Sequence, residues 1–157
     1  MRRTSSPLPP SLHHLGRRRL LAAQALFLAV NLPSRVVVAG GPRSGKTTLT
    51  ETLAERTRRQ AFKSDDLIGL GWSEASEAAS AWFDAPDPWI CEGVAMPRAL
   101  RKWLAANDGA PSDLAIWLNG EVEHRVPGQR AMTKGCETVW LEILPELERR
   151  GVEILAI

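Results

Sequence analysis

The chain has 157 residues, two cysteines and a net charge of +2. This length predicts one domain with its own hydrophobic core, so folding needs neither a disulfide nor a structural metal. The excess positive charge lies in residues 1–34, which carry five arginines and no acidic residue, and the remainder is net acidic. That distribution argues against a basic domain that binds specific nucleic-acid sequences. Cys91 and Cys136 match no metal-binding spacing and are typical of a reduced, cytoplasmic protein.

The N-terminal region divides into a polar and an apolar part. Residues 1–19 are rich in Pro, Ser and Arg, and we predict that they are disordered. Residues 20–32 are apolar and could form a signal peptide, a membrane span or a helix packed on the domain. The run is shorter than the ~20 residues a span needs, and no small-residue cleavage site follows it. We favour a packed helix that ends at Pro33, because four apolar residues fall at helical spacing: Leu21, Ala25, Leu28 and Leu32.

From residue 35 onward, predicted strands alternate with predicted helices, and we place the domain at 35–157. The strands are 35–39, 60–63, 89–91, 114–118 and 152–157, and the helices are 46–59, 74–83, one that Pro97 opens and one that Gly151 ends. This alternation predicts an α/β fold with a five-stranded parallel sheet and helices on both faces. We expect Ser73 to cap the second helix, Pro145 to kink or restart the last one, and residues 121–134 to be mobile.

The segment between the first strand and the first helix is Gly40–Thr47, which has the form G-x-x-x-x-G-K-[ST] of a phosphate-binding (Walker A) loop. Its glycines let backbone N–H groups converge on a phosphate, and the following helix adds its positive end. Lys46 would bridge the β- and γ-phosphates, Thr47 would ligate Mg²⁺ and Thr48 would reach the α-phosphate. We expect Arg43 to face solvent. The predicted nucleotide contacts are Gly40, Gly41, Pro42, Arg43, Ser44, Gly45, Lys46, Thr47 and Thr48.

Polar side chains follow the other strands, at the edge where ligands of parallel sheets bind. Asp65 and Asp66 follow the second strand, Glu92 the third and Asn119 the fourth. In an extended chain the two aspartates point to opposite sides, so one at most faces the γ-phosphate. We favour Asp65 as the catalytic base and assign Asp66 to the substrate; the alternative is that both belong to a turn. Glu92 is predicted to be catalytic or to hold the metal, because a carboxylate at a buried strand end needs a cation or donors.

Residues 35–157 resemble the small P-loop kinases of the nucleoside, nucleotide and shikimate kinase-like group. The resemblance rests on Gly40–Thr48, the acidic pair after the second strand, Glu92-Gly93 and the arginine-bearing segment before the last helix. It implies the strand order 2-3-1-4-5 and a Mg²⁺-assisted transfer of the γ-phosphoryl of ATP to a small-molecule or nucleotide acceptor. It also implies a lid whose arginines close over the triphosphate, here Arg125 and Arg130, with Lys134 as a further candidate. Many P-loop enzymes have an aspartate where this chain has Glu92.

The acceptor contacts and the alternative functions remain open at this stage. Arg98 and Arg101 share a helix face and would hold an anionic group of the acceptor, unless that face is simply solvated. We expect Trp72, Trp82 and Trp117 to lie in the core rather than on a ligand. The alternative functions are a nucleotide-binding protein or ATPase without an acceptor, and a toxin-like kinase acting on a sugar nucleotide or a nucleic-acid end. A GTPase is disfavoured because no Asn-Lys-x-Asp follows a strand.

Overall fold

A computed structural model describes residues 10–67, 69–120 and 126–157 of the chain. The helices are α1 (Pro10–Ala29), α2 (Lys46–Thr57), α3 (Trp72–Ser80), α4 (Met96–Ala106) and α5 (Pro127–Arg149). The strands are β1 (Arg35–Gly40), β2 (Gln60–Lys63), β3 (Trp89–Gly93), β4 (Leu114–Leu118) and β5 (Glu153–Ala156). Two short 3-10 turns, Ser64–Leu67 and Ala81–Asp84, flank α3.

The five strands form one parallel sheet in the order β2-β3-β1-β4-β5. The predicted α/β class, parallel sheet and strand order are therefore confirmed. The central strand β1 precedes the segment Gly40–Thr47, so this segment leaves the sheet at its middle. The carboxyl ends of β3 and β4 lie on either side of it, because both strands pair directly with β1.

Alternating residues of the strands fill two cores, one on each face of the sheet. Val37, Cys91 and Trp117 belong to the core that α3, α4 and α5 cover. Val36, Ile90 and Ile116 belong to the core that α1 and α2 cover. Both faces of a parallel sheet are buried in this way because helices connect its strands, and the strands accordingly have near-continuous apolar sequences. The prediction of helices on both faces is thus confirmed.

The N-terminal helix packs on the domain through one stripe of residues. Leu21 and Ala25 are fully buried in the core next to Leu49 and Leu53 of α2. The opposite side of the helix is exposed, including Phe27. The predicted disorder of residues 1–19 is wrong for residues 10–19, which are helical, and residues 1–9 lie outside the described part. In the described part of the chain, no helix is both long enough and apolar enough to cross a membrane.

Several local predictions need correction. Gly71, not Ser73, is the N-cap of α3, and the residues from Ala81 onward form a 3-10 turn rather than the end of the helix. Glu92 lies within β3, which continues to Gly93. The helix α5 begins at Pro127 and runs through Pro145 without restarting, so residues 127–134 of the segment predicted to be mobile are helical. Packing of buried residues such as Trp140 against the sheet holds α5 together across a residue that lowers helix stability.

Candidate functional site

The segment Gly40–Thr47 makes a tight turn between β1 and α2. Gly45 has a φ of 96° and is the N-cap of α2, and Arg43 has a φ of 57°. These left-handed conformations reverse the chain within a few residues. Gly45, as the N-cap residue, has no side chain that could cap the first turn of α2. The first N–H groups of a helix have no partner within the helix, so this end of α2 offers donors and a partial positive charge to an anion.

Lys46 lies against this turn rather than in solvent. Its side chain is 8% exposed, and its Nζ donates hydrogen bonds to the Gly41 carbonyl at 2.6 Å and to the Ser44 hydroxyl at 3.2 Å. Thr47 is exposed at the same end of the helix, Thr48 is half-buried, and Arg43 is exposed as predicted. The lysine ammonium and the threonine hydroxyl therefore both belong to the surface that surrounds the start of α2.

Glu92 is the most deeply buried charged residue in the described part of the chain. It is 1% exposed, and its Oε2 has no hydrogen-bond partner among the described residues. The pKa of this carboxyl is raised to about 6, mainly by burial and in part by nearby Asp65, while the charges of Lys46 and Lys63 oppose the shift. A buried acceptor without a partner costs about 1–3 kcal/mol, and more when charged, so such a group is a candidate for a functional role.

Lys63 was not predicted as a site residue, and strand register explains its position. In the sheet, Lys63 of β2 and Val38 of β1 lie at the same level as Glu92 on β3. The Lys63 ammonium pairs with Glu51 of α2 at 2.9 Å, and this hydrogen bond is the main reason its pKa is raised. The sequence carries no signal for this pairing, because it depends on which residues of β2 and β3 align.

The two aspartates after β2 lie in the 3-10 turn Ser64–Leu67, not in extended chain, so the argument that they point to opposite sides does not hold. Both are exposed. Asp65 contributes to the electrostatic environment of Glu92, whereas Asp66 acts on Lys63. The carboxylate assigned to catalysis is thus the one of the pair whose charge acts on Glu92.

The two arginines of α4 have different surroundings. The Arg98 guanidinium lies 5.1 Å from the ring centroid of Trp72 and is half-buried. Arg101 is exposed and pairs with Glu142 of α5 at 3.1 Å. A surface ion pair of this kind is worth at most about 1 kcal/mol, so its presence does not by itself assign a role to Arg101.

The first turns of α5 lie close to the glycine-containing segment. A Cβ placed on Gly41 would be 2.3 Å from Oγ1 of Thr133, so only a glycine allows this approach. Arg130 is exposed and three residues before Thr133, which puts both on one side of the helix. Lys134 is exposed on the next position. Arg125, the other predicted lid arginine, lies outside the described residues.

The three tryptophans considered as ligand contacts have different environments. Trp117 is buried and stacks on Trp140 with ring centroids 5.4 Å apart, as expected for a core residue. Trp82 is half-buried and stacks on Phe62 at 5.4 Å. Trp72 is 48% exposed, so the prediction that it lies in the core is wrong. It is the first residue of α3.

Two further residues near this site carry no recognisable sequence signal. Arg17 of α1 donates hydrogen bonds from Nη2 to the carbonyls of Ser44 at 2.8 Å and Asn119 at 2.7 Å. Ser64 is 8% exposed, and its hydroxyl has no partner among the described residues. Both positions depend on contacts between segments far apart in the chain.

No protein-family model matches the chain, and no curated protein is significantly similar to it. The fold alone therefore defines the class of this protein: it is an α/β protein with a five-stranded parallel sheet in the order 2-3-1-4-5.

Proposed function

We propose that this protein is an ATP-dependent, Mg²⁺-assisted phosphotransferase that moves the γ-phosphoryl group to a small-molecule or nucleotide acceptor. The observation that carries the proposal is the buried Oε2 of Glu92, which has no hydrogen-bond partner among the described residues. Its carboxylate lies within electrostatic reach of Lys46. A loop that only reversed the chain direction would need neither a buried lysine nor a buried carboxylate next to it.

The residues around the loop are suited to the parts of phosphoryl transfer. The uncapped start of α2 and Lys46 would bind the phosphates. The Thr47 hydroxyl and the Glu92 carboxylate are oxygen donors of the kind that Mg²⁺ prefers, and the unpartnered Oε2 fits such a role. The described residues contain no group of three His, Cys, Asp or Glu that could hold a metal. Mg²⁺ would therefore bind largely through the nucleotide, as it commonly does, and would neutralise phosphate charge.

An acceptor would enter beside Asp65, which is exposed and close enough to affect Glu92. Asp65 would accept the proton of the acceptor hydroxyl. Arg130 on α5 would stabilise the charge on the transferring group, since arginine is suited to charge spread over several oxygens. In this proposal, residues from α2, the turn after β2, β3 and α5 take different parts in one reaction.

The test is ADP formation by the full-length chain with Mg²⁺-ATP and a panel of nucleosides, nucleotides, sugars and small alcohols. Lys46→Met should lower acceptor-dependent turnover at least ~100-fold, because the lysine acts on the transferring phosphoryl group. Arg56→Met is the matched control: it removes one positive charge from the same helix, about 15 Å away. Equal turnover in the wild type and Lys46→Met would reject the proposal. ADP formation that no acceptor stimulates would support the ATPase alternative instead.

A further inference from the structure

A pocket of about 240 Å³ opens beside Asp65. It lies between the 3-10 turn after β2, the start of α3 and the connection from β3 to α4. Ligand pockets for drug-sized molecules usually measure ≈ 300–1,000 Å³, so this one suits a smaller molecule. Residues lining it include Ser64, Asp65, Leu67, Trp72, Ala75 and Val94.

The polar groups of the pocket are suited to a hydroxyl group. The Ser64 hydroxyl is buried and has no partner in the described part of the chain. A ligand hydroxyl that bonded to it would relieve a desolvation cost of about 1–3 kcal/mol. Asp65, the next residue, contributes a carboxylate to the same wall and could accept the proton of that hydroxyl.

The other walls are suited to a flat, apolar skeleton. Leu67, Ala75 and Val94 contribute aliphatic surface, and Trp72 contributes an indole. The Arg98 guanidinium lies 5.1 Å from the ring centroid of this indole. Contact with an indole favours flat ligands, because aromatic rings stack in offset arrangements.

The charges around the pocket disfavour a phosphorylated acceptor. Its lining residues in the described part of the chain include the carboxylate of Asp65 and no Lys or Arg. Glu74 adds a second carboxylate near the rim, where its Oε2 is 2.3 Å from a Cβ placed on the lining residue Gly71. Like charges repel, so the carboxylates of Asp65 and Glu74 disfavour a phosphate group at this position.

We propose that this pocket is the acceptor site and that the acceptor is a small, uncharged alcohol with a flat apolar skeleton. This inference rests on the proposed phosphotransfer function and narrows its acceptor class. The alcohol oxygen forms a bond to the γ-phosphorus of ATP, and the bond from that phosphorus to the β,γ-bridging oxygen breaks. The hydroxyl proton passes to Asp65 and then to solvent. The products are the phosphate monoester and ADP.

The binding test uses the full-length chain without nucleotide and benzyl alcohol as the probe, followed by ligand-observed NMR. Glucose and AMP serve as comparison ligands of the sugar and nucleotide classes. Ala75→Leu, which fills the pocket, should weaken benzyl alcohol binding at least ~10-fold, since bulk in a close-fitting site excludes the ligand. Ala81→Leu adds the same bulk at an exposed position and should leave binding unchanged. Trp72→Ala should also weaken binding, and because Trp72 is half exposed this variant keeps the core intact.

Two results would overturn the inference. One is benzyl alcohol binding that neither Ala75→Leu nor Trp72→Ala weakens. The other is AMP or glucose binding that depends on Ala75 while benzyl alcohol binding does not, which would assign the pocket to a nucleotide or a sugar. AMP bound at the start of α2 would be unaffected by Ala75→Leu, so the two positions are distinguishable.

A separate measurement keeps this inference distinct from the proposed function. Binding of a fluorescent ATP analogue is compared in the wild type and Lys46→Met. If the analogue binds through Lys46 but the alcohol does not bind in the pocket, the acceptor assignment fails and the phosphotransferase proposal stands. If the alcohol binds in the pocket but the analogue does not bind at all, the alcohol site stands and phosphoryl transfer fails. Formation of benzyl phosphate with ADP in equal amounts supports both.

Discussion

Arg17 donates a hydrogen bond from Nη2 to the carbonyl of Ser44 at 2.8 Å, so α1 is tied directly to the turn between β1 and α2. The same nitrogen bonds to the carbonyl of Asn119 at the end of β4. Leu21, one helical turn further on, packs on the same turn: a Cβ placed on Gly45 would be 2.4 Å from its Cδ1. The N-terminal helix thus contacts the predicted phosphate-binding loop at two neighbouring residues, Ser44 and Gly45.

This relationship predicts that Arg17→Ala weakens ATP binding. Hydrogen bonds to a charged donor contribute ≈ 1.5–3 kcal/mol, and partial exposure reduces that, so we expect a loss of about 1–2 kcal/mol in unfolding free energy. If ordering the loop becomes less favourable by a similar free energy, nucleotide binding weakens ~10-fold. Titration with a fluorescent ATP analogue measures the second effect and thermal unfolding the first. Arg18→Ala, at an exposed neighbouring position, is the control; equal affinities for the two variants would show that α1 does not order the loop.

Glu92 predicts a specific pH dependence of stability. Its folded-state pKa is raised to about 6 from 4.5, so the folded state holds the proton more tightly than the unfolded state. The resulting stabilisation is fully present below pH 4.5 and is lost as the pH rises through 6. A shift of this size corresponds to about 2 kcal/mol at neutral pH.

Glu92→Gln should therefore raise the unfolding free energy at pH 7 by up to about 2 kcal/mol, and this gain should vanish near pH 4.5. Chemical denaturation from pH 4 to pH 8 measures the unfolding free energies of the wild type and of Glu92→Gln. Subtracting one from the other removes the contributions of the other carboxylates, which both proteins share. The same substitution should abolish phosphoryl transfer if the carboxylate is required. A stability difference that does not change with pH would mean that Glu92 is not held in a raised-pKa state.

Gly93 is expected to tolerate no side chain. Its φ is 144°, and an added Cβ would lie 1.6 Å from the Ser64 hydroxyl. Gly93→Ala should therefore destabilise the fold by about 1–2 kcal/mol for the backbone conformation and a further 1–3 kcal/mol for the clash. Gly109→Ala is the matched control, because that residue also has a positive φ of 82° but no neighbouring atom within 4 Å. Thermal unfolding of the two variants separates the backbone cost from the cost of the clash. Equal losses of unfolding free energy would mean that the contact with Ser64 imposes no cost.

Arg130 is expected to act on the rate rather than on nucleotide binding. It shares a helix face with Thr133, which approaches Gly41, so we expect the guanidinium to reach a triphosphate bound at this segment. Arginines that stabilise phosphoryl transfer contribute 10³–10⁵ in rate, and we expect Arg130→Ala to lower kcat at least ~100-fold. Arg149→Ala, about 28 Å away on the same helix, should leave kcat unchanged. A similar kcat for both variants would remove Arg130 from the mechanism.

Local features of this fold could be predicted from the sequence because their causes are local. The apolar runs at β1 and β4 predict buried strands, and their alternation with helices predicts a parallel sheet. The segment Gly40–Thr47 was recognisable because its residues are contiguous. Pro97 was correctly placed at the start of α4, since proline suits the first turn of a helix.

Predictions that depended on distant partners succeeded less often. The last helix is predictable from its apolar spacing, but its first turns, residues 127–134, and its continuity through Pro145 are not, because local propensity does not report the packing that holds it together. The size of Trp72 favours burial in the core, yet its side chain is 48% exposed. The aspartates were treated as extended chain, but a 3-10 turn begins directly after β2.

By itself, the sequence determined the class of the fold, its five strands and the position of a phosphate-binding pattern, because hydrophobic periodicity and short motifs act over neighbouring residues. Only the tertiary structure decided which side chains meet. Register aligned Lys63 with Glu92, and helix docking brought Arg17 to Ser44. Folding also formed a pocket between the turn after β2, the start of α3 and the connection from β3 to α4. These contacts join residues far apart in the chain, and their energies depend on burial and distance, which arise only when the whole domain packs.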